Sequence, residues 1–143
     1  MTTTRWIDYL PHAAWTIALV ATMGSLYFSE VINLPPCVLC WYQRIALYPL
    51  VAILAVGILR KDKAVALYAL PLVFGGLGIA VYHNLLYWKI LPESIAPCTL
   101  GVSCTTKFFE WFGFITIPFM SLMAFVTIAA LLITYLRLSK KYA

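Results

Sequence analysis

Four cysteines carry the chemistry available to this chain: Cys37 and Cys40 in LPPCVLCWYQR, and Cys98 and Cys104 in PCTLGVSC. Two close thiol pairs can cycle between dithiol and disulfide, can staple loops, or can hold zinc through four thiolates. A two-residue spacer closes a very small ring, which removes little entropy from the unfolded chain and makes a weak staple. It makes a good redox switch. Pro35 and Pro36 stiffen the approach and cannot extend a helix backwards, so a helix is predicted to begin near Cys40. A sulfur there lies beside unpaired amides and the positive end of the helix dipole, both of which favour thiolate.

Two further side chains fall near this pair. Arg44 is one helical turn beyond Cys40, on the same face and about 6 Å deeper by helical rise. Its guanidinium suits a thiolate or an oxyanion; the plainer reading is an anchor that snorkels to the interface. His83 lies about 10 Å below the outer end of its own segment, a depth matching that of Arg44. Singly, such a histidine is a hydrogen-bonded core residue. At matched depth, the two can bracket a flat, dipolar, lipid-soluble molecule by donating to its two carbonyl oxygens, which describes a quinone.

The elements that position these residues follow from composition. The chain is 143 residues long, 64% hydrophobic and 10% charged, whereas soluble domains are about half apolar and about a quarter charged. Four stretches reach the ~20 residues that a bilayer-spanning helix needs: roughly residues 12–32, 41–59, 64–88 and 112–136. Their continuous rather than alternating apolarity favours helices over a barrel. The expected fold is all-α: an antiparallel four-helix membrane bundle forming a single domain over residues 1–143. The first segment reads as a permanent helix, since it follows a mostly uncharged start and exceeds the core of a secretory signal. Gly75, Gly76 and Gly78 read as close-packing positions, Pro49 and Pro118 as kinks, and Glu30 and Glu110 as solvated anchors.

Basic residues near helix ends collect on the cytoplasmic side. Arg5, Arg60, Lys61, Lys63, Arg137, Lys140 and Lys141 fall on one face against Arg44, Lys89 and Lys107 on the other. Seven against three places both termini in the cytoplasm and all four cysteines outside. Trp41, Tyr42, Tyr87, Trp88 and Trp111 form the outer aromatic belt, with Trp6, Tyr9, Tyr68 and Tyr135 inside. The net charge of +5 follows from this asymmetry and from attraction to anionic lipid, so no nucleic-acid partner is needed. Outside a cell disulfides persist and zinc thiolates meet an oxidant, so no metal is expected. A dithiol oxidised repeatedly must pass two electrons onward, and the chain has no haem or flavin fingerprint. A membrane quinone needs only a crevice between helices.

LPPCVLCWYQRIALYPL, YHNLL and WFGFITIPFMSLMAF together resemble the disulfide bond formation protein B family in its short Gram-positive form, over nearly the whole chain. The resemblance implies a four-helix oxidase of the bacterial plasma membrane, fed by an extracytoplasmic thioredoxin-like thiol oxidase and emptied into ubiquinone or menaquinone. It further implies that Cys40 approaches the quinone, that Cys37 exchanges with the second loop, and that Arg44 and His83 belong to the quinone site. Cys98 would form the mixed disulfide with the soluble partner, and Cys104 would link back toward Cys37. The second loop is shorter than in enteric members. Two other classes share the outline: a vitamin K epoxide reductase-like enzyme, in which the close pair is expected late in the chain, and a non-enzymatic tetraspan stapled by two disulfides.

Overall fold

The computed structural model describes residues 2–95, 102–105, 110–113 and 115–142. Cys98 and Lys107 lie outside the described residues, as do the side chains of Arg5, Glu110 and Trp111. Four helices dominate: α1 (Thr2–Leu26), α2 (Val38–Leu59), α3 (Val65–Tyr87) and α4 (Ile117–Lys141). Each packs on the next and α4 returns to α1, giving a four-membered ring. A two-stranded antiparallel ribbon, β1 (Glu110–Trp111) with β2 (Ile115–Thr116), precedes α4.

The expected all-α bundle is the observed one, with displaced boundaries. Helices α2, α3 and α4 are long and apolar enough to cross a membrane. Helix α1, diluted by Arg5, Asp8 and His12, is not among them. The fourth segment begins at Ile117 rather than near residue 112. Phe112 and Gly113 take left-handed backbone in the turn between the strands, and Thr116 then caps the helix by accepting from the Phe119 N–H at 3.4 Å. Pro118 therefore sits in the first turn, where a missing N–H costs nothing, and starts the helix instead of kinking it.

A second correction concerns α2. It starts at Val38, two residues before the expected point, with Cys37 as its N-cap. The core runs between the four helices and includes Leu50, Leu54, Val73, Phe125, Ile128 and Leu132, all fully buried. Of the three glycines expected to give close packing, only Gly76 does so. A Cβ there would lie 2.3 Å from the Phe125 ring, whereas Gly75 and Gly78 have nothing within 4 Å. Gly57 is a further close approach, with Val65 Cγ2 2.1 Å from an added Cβ.

Candidate functional site

Cap chemistry sets the first thiol. Cys37 precedes α2 with extended backbone, and its sulfur accepts the Cys40 amide hydrogen at 3.4 Å. The sulfur poised by the helix N-terminus is thus that of Cys37, where the sequence had pointed to Cys40. The two Sγ atoms stand 3.1 Å apart and both thiols are free, well beyond the ~2.05 Å of a disulfide. The Cys37 thiol is held well below the ordinary thiol range, first by the hydrogen bond with the Cys40 side chain and next by His83, with burial working against both.

His83, on α3, is 2% exposed. Its Nε2 lies 3.2 Å from the Cys104 carbonyl oxygen and 3.8 Å from Cys37 Sγ. Histidine therefore touches both cysteine regions. Cys37 and Cys104 share one buried cluster with Leu39 and Leu86, and Cys104 is itself disulfide-bonded. The contact between the two loops that a relay requires is present. Cys37, Cys40 and His83 also bring three potential metal-ligand atoms within 4.8 Å of one another.

Arg44 lies one turn below Cys40, as the spacing predicted, with a different first partner. Its Nε donates to Ser25 Oγ at 2.9 Å and its Nη2 to the Ser25 carbonyl at 3.0 Å, while the guanidinium carbon lies 5.3 Å from the Trp41 ring centroid. Ser25 stands just ahead of a π-helical turn, Tyr27–Val31, that ends the first helical stretch. Guanidinium carries five N–H donors, and among the described residues Nη1 has no partner.

All of these side chains face one cavity of about 490 Å³, lined by Cys37, Cys40, Arg44, His83 and Cys104 among largely apolar walls from α1, α2 and α4. Its size falls within the ~300–1,000 Å³ of small-molecule sites, which are mostly apolar with a few placed polar groups. Three polar residues of the site were not singled out from sequence: Ser25, Gln43 and Ser121. Gln43 Nε2 lies 3.3 Å from His83 Nδ1, and Ser121 donates to Gln43 Oε1 at 2.7 Å. Gln43 and Ser121 fall inside segments that carry the family resemblance, but only the fold reveals what these amides and hydroxyls bond.

A multi-pass membrane helix bundle in which a capped thiol, a second thiol and a disulfide-bonded cysteine meet over an apolar cavity defines an integral-membrane thiol oxidoreductase. The comparisons give the particular family. The model of disulfide bond formation protein DsbB matches residues 8–135, and the chain belongs to that family. Among its relatives, "Disulfide bond formation protein C" of Bacillus subtilis (strain 168) is 47% identical over 117 residues, covering 82% of this chain and 85% of the relative. "Probable disulfide formation protein C 1" of Bacillus anthracis is 46% identical over 123 residues, 85% and 88% of the two chains. "Probable disulfide formation protein C 2" of Bacillus anthracis is 50% identical over 120 residues, 83% and 84%. No solved structure matches.

Proposed function

We propose that this disulfide-forming oxidoreductase takes electrons from an extracytoplasmic thioredoxin-like thiol oxidase and passes them to a membrane quinone, so sustaining disulfide formation in exported proteins. The observation that carries the reading is the meeting of the Cys37–Cys40 dithiol, Cys104 and Arg44 at one apolar cavity. A quinone supplies a two-electron, two-proton acceptor. The cavity fits such a group, being apolar for a ring and tail, with a guanidinium one turn below the thiols to receive oxygen.

Each chain residue then has a task. Cys98 accepts the partner's electrons through a mixed disulfide, and Cys104 exchanges with Cys37. Thiolate exchange needs a stabilised attacking or leaving sulfur, a need that the low-lying Cys37 thiol meets. Cys40, one helical turn from Arg44 on the cavity wall, faces the acceptor. Oxidation of the pair joins Cys37 Sγ to Cys40 Sγ, releasing two protons and two electrons that together reduce the quinone to quinol. Arg44 orients the acceptor oxygen while Ser25 fixes the guanidinium plane, and His83 holds the exchanging sulfur. The asymmetry of basic residues supports an outer face for this site, with both termini in the cytoplasm.

Reconstituted protein with a reduced thioredoxin-like substrate and quinone tests this reading. Cys40→Ala should abolish quinone-dependent thiol oxidation while leaving the bundle folded. Retained turnover in that variant would remove the relay.

A further inference from the structure

The buried polar residues around His83 form a chain whose hydrogen-bond direction is determined at one end. The Cys104 carbonyl can only accept, so the His83 nitrogen facing it at 3.2 Å, Nε2, carries the hydrogen. A neutral ring then has Nδ1 as its acceptor, which takes a hydrogen from the Gln43 amide at 3.3 Å. The amide oxygen in turn accepts from the Ser121 hydroxyl at 2.7 Å. Gln43 is 7% exposed and His83 2%, so both side chains are largely withdrawn from bulk solvent. Reversing the amide would set its oxygen against Nδ1 and demand a hydrogen there, leaving Nε2 bare against a carbonyl oxygen. Every donor and acceptor agrees with only one neutral form of the ring.

We propose that Gln43 is a positioning residue: oriented by Ser121, it locks His83 in the Nε2–H tautomer, whose single hydrogen is shared between the Cys104 carbonyl and the Cys37 sulfur. The lock does two things for the relay. It docks the second-loop disulfide over the first pair, and it keeps a donor aimed 3.8 Å from the sulfur that must leave or attack as thiolate. In the exchange, a Cys104 thiolate bonds to Cys37 Sγ while the Cys37–Cys40 bond breaks and Cys40 departs with the electron pair; a Cys98 thiolate then bonds to Cys104 Sγ and Cys37 departs as the thiolate. No outside oxidant is needed. With the other tautomer, Nε2 would present a lone pair to both the carbonyl oxygen and the sulfur, and the two cysteine regions would lose their common donor.

This inference rests on the relay reading for its purpose, although its physical core is read without any turnover. The chain has two histidines, His12 and His83, so a His12→Ala background leaves one ring to observe. Nitrogen-15 NMR of ring-labelled protein in nanodiscs should show His83 as a single Nε2–H tautomer. Gln43→Leu should give a mixture of tautomers, and Ser121→Ala, which frees the amide to reverse, should give a smaller admixture if Gln43→Leu folds poorly. In turnover assays, Gln43→Leu should lower kcat about tenfold, the scale of losing one hydrogen bond to a charged group, with the quinone KM unchanged. An unchanged single tautomer in both variants overturns the proposal, whatever the activity. A loss in the quinone KM with kcat unchanged also overturns it and makes Gln43 an acceptor ligand. Failure of the relay itself shows separately, as retained thiol oxidation in Cys40→Ala.

Discussion

At the scale of the residue, Arg44 shows how a single side chain can be placed correctly and partnered unexpectedly. Spacing puts its guanidinium one turn below Cys40, yet two of its donors are spent on Ser25, a residue 19 positions away on another helix. That fork holds the guanidinium plane in place, a task that the point charge of lysine performs poorly. Arg44→Ala should raise the quinone KM about tenfold, the cost of one charge-assisted hydrogen bond, while both disulfides still form. Arg44→Lys should recover little of it. Steady-state titration with quinone, beside thiol counting, measures both; unchanged kinetics would return Arg44 to an interfacial anchor. Cys37, Cys40, Cys104, Arg44 and His83, which meet at one cavity, were conspicuous in the sequence because their residue types are rare in an apolar chain. Gln43 and Ser121 were not, since their partners lie 40 and 78 positions away in sequence and no local pattern announces them.

At the scale of the element, helix existence was plain from apolar length, and helix ends were not. Three exits use left-handed residues other than glycine: Asn33, Lys61 and Lys89 have φ of 56°, 51° and 57°. The usual signal for such an end is glycine, which is absent at all three. The turn after α2 has its own determinant: Asp62 accepts from the Ala64 N–H at 2.8 Å and from the Tyr68 hydroxyl at 2.6 Å. These bonds to its charged form hold the Asp62 carboxyl below its ordinary range. Packing between elements also resists sequence reading, as the glycines of α3 show. Gly76→Ala would drive a methyl into the Phe125 ring, which is fully buried and has nowhere to retreat. A loss of about 1–3 kcal/mol is expected from such overpacking. Gly75→Ala meets open space and should be neutral or slightly stabilising. Thermal unfolding of the two variants in the same detergent compares them; equal melting temperatures would refute the packing of α3 on α4.

At the scale of the whole molecule, a ring of four helices brings the CxxC cap and Cys104 of the second loop to one cavity. The charge asymmetry favours the outside for this site, as proposed, and on that orientation reagents that cannot cross the membrane should label Cys37, Cys40, Cys98 and Cys104 in intact cells after reduction. Labelling that requires cell lysis for either pair would break the relay into two compartments. Family membership and bundle agree on a membrane oxidoreductase; on the proposed path, electrons enter at the second loop, cross to Cys37 and leave beside Arg44. That path is tested most directly by stoichiometry in one anaerobic turnover. Fully reduced protein carrying Cys98→Ala and Cys104→Ala, mixed with quinone in the absence of any soluble substrate, should form one quinol for each Cys37–Cys40 disulfide detected by mass spectrometry. Quinol produced while Cys37 and Cys40 remain thiols, or their oxidation without quinol, would contradict the account.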